Sequence, residues 1–344
     1  MTTLDPEIPA KSARSRWTTA IKWAVAIVVL TFVTLAVRRQ LGDADFSGLT
    51  VRPMWLVAAV LSLPQMYFAI ALSERSLVDT LAQKRLTLAE LLPAAWIPML
   101  GKFVPGKVAA AGTAVVLLKR LGVPATTAVG VFLLLDAMPL MTGTLLGGGL
   151  LVDPALREQF PAAPWLLVGL IVVGLVALSP PVFSRLANGT LRLLRRPPLP
   201  RVPGPRDYVV PLVMSLVQWL FNGLAVWCAA MAFLPEADIA ALPQTICVTA
   251  LVMCLSYFGA LVTPSGLGVR EGVFIPLLTL LVGLPAATAT AVFMRLNHTM
   301  VELVLSSIGL VMLRGSLVET QRHKEAKDRK AEDEVDREKA SPSL

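Results

Sequence analysis

The sequence predicts an all-α polytopic membrane protein with about six full spans and two re-entrant broken hairpins, arranged as an inverted 4+4 repeat. Three observations predict it. Of 344 residues, 55% are hydrophobic and only 16% charged, with a mean hydropathy of +0.69. The apolar runs are continuous and of helix-spanning length, whereas transmembrane strands would be short and alternating. Finally, two runs are interrupted in corresponding places by Pro, Gly and charge: Lys102 to Lys107 reads KFVPGK, and Leu261 to Gly272 reads LVTPSGLGVREG. Broken backbone and charge at membrane depth persist only inside protein or beside a water-filled cavity, so the breaks mark a site and a transporter-like core.

The formal charge of +8 does not imply a nucleic-acid partner, because most basic residues flank the apolar runs, where the positive-inside rule places them. Cys228, Cys247 and Cys254 lie in apolar segments without CxxC spacing or a neighbouring His, as small core residues do. Nothing has metal-ligand spacing, and no cofactor is expected.

Taken in order, residues 1–16 form a polar cytoplasmic lead with Lys11, Arg14 and Arg16. The first membrane repeat covers residues 17–152. Its first span, Trp17 to Val37, ends in Arg38 and Arg39 without a small-residue cleavage site, so it reads as a retained span. Met54 to Ser73 is the second span, and Glu74 to Arg85 reads as a short surface helix on the cytoplasmic side. Leu86 to Gly101 is barely long enough to cross; it breaks at Pro105 and Gly106, and Val108 to Leu118 returns to Lys119 and Arg120. This is a hairpin entered from the cytoplasm. Leu121 to Val152 is a long span interrupted only by Asp136.

The second repeat covers residues 153–313. Gln159 to Ser184 and Tyr208 to Pro235 are uncharged spans, joined by a loop in which Arg185, Arg192, Arg195, Arg196, Arg201 and Arg206 face a single Asp207. That loop is the firmest cytoplasmic marker, and the acidic Glu236 to Asp238 loop is outside. Ile239 to Val262 enters from outside, breaks around Pro264, Gly266 and Gly268, and continues as Gly272 to Leu281. Pro285 to Leu313 is the last span, and residues 314–344 are a charged cytoplasmic tail, helical or disordered. Both termini are therefore cytoplasmic in a multi-pass protein of the cell membrane.

An internal repeat relates the halves. GVPATTAVGVFLLLD at Gly122 to Asp136 and GLPAATATAVFMRLN at Gly283 to Asn297 share eight of fifteen positions at an offset of 161. Shared Gly, Pro, Thr and Phe in register favour duplication over chance, and the charge bias orients the copies oppositely.

Each break starts a half-helix whose N-terminal N–H groups carry partial positive charge toward the bilayer interior. With Lys102, Lys107 and Arg270 at the tips, the pocket suits a phosphate or another anionic headgroup. The alternatives are that the lysines snorkel to the surface and Arg270 pairs internally. Glu271 adjoins Arg270 but does not face it; it either complements the half-helix N-terminus or couples protons. Arg295, His298 and Glu302 fall at i, i+3 and i+7, one face of the last span, with Asn297 flanking. That polar stripe faces the interior or a cavity. Asp136 in the sister span is the expected partner of Arg295, either as a structural ion pair or on a substrate or proton pathway. No nucleophile elbow, P-loop, zinc-protease helix or dinucleotide fingerprint is present, so catalysis is the weaker class.

With TPSGLGVREG, a following Gly-Leu-Pro and Arg-bearing span, and the KFVPGK break, the chain resembles the lysylphosphatidylglycerol synthase transmembrane family, also called the flippase-like domain family. The similarity covers roughly residues 15–315. It implies a membrane domain that moves or handles lipids, either an aminoacylated phosphatidylglycerol or a polyprenyl-linked lipid. Members with synthase activity carry a soluble aminoacyl-transferase domain after the membrane part, and the short tail here departs from that pattern, so lysyl transfer is not implied. The expected function is a lipid flippase or transporter with a membrane lipid as substrate. The alternative is a membrane-embedded enzyme, or an accessory subunit partnering a lipid aminoacyl- or glycosyl-transferase.

Overall fold

A computed structural model describes residues 49–103, 108–152, 163–235, 238–259 and 269–340. The expected Trp17–Val37 span lies outside them, as do the breaks at Pro105, Gly106, Pro264, Gly266 and Gly268. All regular structure among the described residues is helical. Five helices are long and apolar enough to cross a membrane, or six if one bent pair is counted as a span.

Helix α1, Pro53–Leu81, opens on a proline in its first turn, where the missing N–H costs nothing. It buries Ala59, Leu63, Met66, Tyr67, Ala71, Glu74, Leu77, Val78 and Leu81, a stripe at three- and four-residue spacing. The expected surface helix from Glu74 to Arg85 is thus not separate: α1 runs on to Leu81, because its apolar stripe continues past Glu74. The helix gives way at Gln83, whose φ is 52°.

The first hairpin consists of α2, Leu88–Trp96, continued by a 3-10 segment Ile97–Phe103, and α3, Val108–Arg120. Its arms touch backbone to backbone: a Cβ at Gly101 would collide with the Ala110 amide. Next come α4, Ala125–Gly147, then α5, Ala163–Leu178, and α6, Pro180–Leu193. Within the expected span Gln159 to Ser184 the chain bends by 77° between α5 and α6. Pro180 and Pro181 lack donors and force Ser179 into an extended conformation, ψ 135°. Beyond the bend, α6 buries Phe183, Ala187 and Leu191 and exposes Arg185 and Arg192, so part of the arginine-rich loop is an amphipathic helix.

Helix α7, Val209–Met231, precedes the second hairpin of α8, Leu242–Gly259, and α9, Val269–Val282. Helix α10, Leu284–Ala340, carries the last span and continues through the charged tail. Gly122 and Gly283, the first residues of the two repeated segments, adopt the same left-handed backbone, φ 79° and 78°, just before α4 and α10.

The most extensive helix pair is α1 with α7. It is tied at one end by the Arg52 N–H donating to the Ala232 carbonyl at 2.8 Å and by Trp55 meeting Trp227 edge-on at 5.1 Å. Fully buried Ala59, Ala71, Ala225, Ala229 and Ala230 on these helices permit the close approach on which membrane helices depend. Around the pair, α4 packs on α3 and α8, and α10 on α9 and α2. The Ser306 hydroxyl donates to the Trp96 carbonyl at 2.8 Å, joining α10 to α2.

Candidate functional site

A cavity of about 380 Å³ lies between the hairpins and the central helices. Its walls include Tyr67 and Glu74 from α1, Ala94 and Met99 from the first arm of hairpin one, and Ala110 and Ala114 from the second. Asp136 comes from α4, Gln218 and Asn222 from α7, Tyr257 from α8, Arg270 from α9, and His298 and Glu302 from α10. Most of the wall is apolar, with polar groups at a few points, the usual build of a ligand site.

Arg270 sits in the first turn of α9, immediately after the break, where helical N–H groups are unpaired and the dipole favours an anion. The residue is only 8% exposed, and its buried Nη2 has no hydrogen-bond partner among the described residues. A guanidinium with unmet donors facing a cavity is costly when empty and well suited to a bidentate oxyanion. The Asn222 Oδ1 is likewise buried and unmet among the described residues.

Of the stripe on α10, His298 and Glu302 line the cavity, while Arg295 does not. His298 and Glu302 are 6% and 4% exposed and face α1. The Tyr67 hydroxyl donates to Glu302 Oε1 at 2.6 Å and lies 3.3 Å from His298 Nδ1. A phenol has one proton, so when it is given to Glu302 the second contact requires a proton on His298 Nδ1. Asn297 donates through Nδ2 to the Ala59 carbonyl at 3.3 Å, a structural role.

The expected Asp136–Arg295 pair is corrected. Arg295 pairs with Glu271, Nη1 to Oε1 at 3.6 Å, both side chains being largely buried. Asp136 accepts from the Tyr257 hydroxyl at 2.8 Å. Packing explains the exchange: α10 lies against α9, which brings Glu271 to Arg295, while α4 lies against α8, which brings Tyr257 to Asp136. Glu271 therefore serves as a counter-charge near the N-terminus of α9.

Of the other sequence candidates, Lys107 and the side chain of Lys102 fall outside the described residues. Sequence reasoning missed Tyr67, Tyr257, Asn222 and above all Glu74. Glu74 is 3% exposed and lines the cavity, and it makes no hydrogen bond or ion pair among the described residues. The signal was its position seven residues after Tyr67, hence on the same face of an uninterrupted helix.

Fold and cavity together define a multi-pass helical membrane protein built around an internal, partly polar chamber. The chain belongs to the Lysylphosphatidylglycerol synthase TM region family, whose profile matches residues 19–306. This is a family of membrane domains of lipid-related proteins. No curated protein matches the chain closely enough to count as a relative.

Proposed function

We infer that the protein is a lipid flippase or transporter whose cavity receives the anionic headgroup of a phospholipid or a polyprenyl-phosphate-linked lipid. The observation that carries this reading is Arg270: buried, at a helix N-terminus, with Nη2 unmet among the described residues, in the wall of a cavity to which both hairpins contribute. The phosphate would take the guanidinium and the first N–H groups of α9, and the acyl or prenyl chains would stay among the lipids outside. Glu271 and Arg295 hold each other beside it, so among the described residues the cation left for the ligand is Arg270.

The packing supports an inverted 4+4 repeat. Exchanging α1 with α7, α2 with α8, α3 with α9 and α4 with α10 turns the main helix contacts into one another: α4 on α8 becomes α10 on α2, and α4 on α3 becomes α10 on α9. The matching left-handed glycines support the same relation. In this reading the protein sits in the cell membrane with both termini and the arginine-rich segment in the cytoplasm and the Glu236 to Asp238 loop outside. Alternating exposure of the cavity, by rocking one repeat against the other, would carry the headgroup across.

The test is translocation of a fluorescent anionic lipid in proteoliposomes. The purified protein is expected to move it between leaflets. If lipid moves only when a co-purifying lipid-modifying enzyme is present, the protein is that enzyme's partner and the flippase reading is lost.

A further inference from the structure

We propose that Glu74 is a proton-binding site of the transport cycle, so that a proton accompanies each headgroup through the cavity. The proposal rests on the anion reading of Arg270 and adds a second ligand to the same chamber.

Glu74 is almost wholly buried, 3% exposed in the wall of the cavity, and no hydrogen-bond donor or cation among the described residues meets it. Burying an unpaired carboxylate costs far more than burying the neutral acid, which needs at most one acceptor. The conformation seen here therefore admits Glu74 as COOH. When the cavity opens, water can solvate the carboxylate: the O–H bond breaks, the proton passes to water, and COO⁻ remains. Reloading reverses the step. The cavity can close on a protonated Glu74 far more readily than on an ionised one, which is what makes proton carriage obligatory.

Position supports coupling to the headgroup. Glu74 lies seven residues from Tyr67 on one face of α1, about 10 Å along the axis. Tyr67 in turn reaches Glu302 and His298, which share the chamber with Arg270. A proton on Glu74 compensates the negative charge that a phosphate brings to Arg270, so the loaded cavity crosses with less net charge than either ligand alone would impose.

The other titratable groups of the cavity have separate engagements. Tyr67 and Glu302 bond each other, Asp136 accepts from Tyr257, and His298 contacts Tyr67. Among the described residues Arg270 is the cation of the cavity wall, and Cys254 is a thiol directed to the Leu140 carbonyl at 3.5 Å. From the elements packed on α1, the α7 wall contributes only the amides of Gln218 and Asn222, and the charged group of α2 is the exposed Glu90. Asp207, in a 3-10 turn over Pro205–Tyr208 that also packs on α1, is held by the Gly204 N–H at 2.8 Å and by Arg201.

The experiment uses the full chain in liposomes of phosphatidylcholine with and without phosphatidylglycerol, a labelled phosphatidylglycerol for translocation, and an internal pH dye. The wild type should move protons only when phosphatidylglycerol is present, and an imposed pH gradient should speed lipid movement. Glu74→Gln should lose at least tenfold of the lipid-dependent proton flux and the response to the gradient, while Glu74→Asp keeps both. Lipid movement that needs Arg270 but carries no protons, or a Glu74→Gln protein with unchanged flux, overturns the proton site and leaves the anion reading standing. Should Glu74→Gln not fold, Glu74→Asp decides: lipid movement without protons in that variant overturns the proposal. If the wild type moves no lipid with or without a gradient, the anion reading fails and the proton site falls with it.

Discussion

The Tyr67 hydroxyl stands 2.6 Å from Glu302 Oε1 and 3.3 Å from His298 Nδ1, a contact across 235 residues of sequence that fastens the start of the cavity wall to its end. All three side chains are buried, so the hydrogen bonds are made where water cannot replace them. Tyr67→Phe keeps the ring and removes the donor. It should cost about 2 kcal/mol of stability, within the range for removing one partner of a buried hydrogen bond. Thermal unfolding in detergent measures this, and an unchanged midpoint would show that the bond does not hold α1 to α10.

Glu271 and Arg295 should couple. A double-mutant cycle with Glu271→Gln and Arg295→Gln should give an interaction energy of about 1 kcal/mol, as close partners do. The same cycle with Asp136→Asn and Arg295→Gln should be additive to within about 0.5 kcal/mol. Coupling in the second cycle and not the first would reverse the assignment of partners.

Gly143 is a packing position on α4. A Cβ there would lie 2.6 Å from both Trp219 Cζ2 and Cys254 Sγ, so Gly143→Ala must push α4 away from α7 and α8. A loss of about 1–3 kcal/mol is expected from such overpacking. Gly148→Ala, with open space around the new methyl, should stay within about 0.5 kcal/mol of the wild type. Equal effects of the two would mean that the helices are not in contact at Gly143.

Thr87 caps α2 in a reciprocal arrangement: its hydroxyl accepts from the Glu90 N–H at 3.4 Å, and Glu90 Oε2 accepts from the Thr87 N–H at 2.8 Å. The Thr87 hydroxyl also donates to Glu90 Oε2 at 2.7 Å, and this bond, with that from the Thr87 N–H, holds the Glu90 carboxyl below its usual range. A group whose value is lower folded than unfolded stabilises above the unfolded value, and that contribution disappears as pH falls through the carboxylate range. Thr87→Ala should cost about 1 kcal/mol at neutral pH. The difference from wild type should shrink on acidification, and a difference that grows instead would contradict the cap.

Much of the fold was legible because lipid imposes strict grammar. Continuous apolar runs had to be helices, and helical arms lie on both sides of the KFVPGK and LVTPSGLGVREG interruptions. The Gly and Pro shared in register by the two repeated segments fall at equivalent places, and both glycines are left-handed. Charge misled where helix context mattered. Glu74 looked like the start of a surface helix because Arg75, Lys84 and Arg85 follow it, yet the apolar stripe through Leu77 and Leu81 carries α1 past it. The Asp136–Arg295 pairing followed the repeat, since those residues occupy sister spans. Partner choice depends on which helices touch, and a one-dimensional repeat does not encode that. The bend at Ser179 was readable from Pro180 and Pro181, whose effect the apolar run concealed.

The central claim is that Arg270 receives the headgroup phosphate, and binding of a short-chain phosphatidylglycerol to purified variants tests it most directly. A guanidinium forks two hydrogen bonds onto phosphate and an ammonium does not, so Arg270→Lys should weaken binding almost as much as Arg270→Ala while both variants remain folded. Affinity retained at the wild-type level in Arg270→Lys, or in Arg270→Ala, would contradict the assignment.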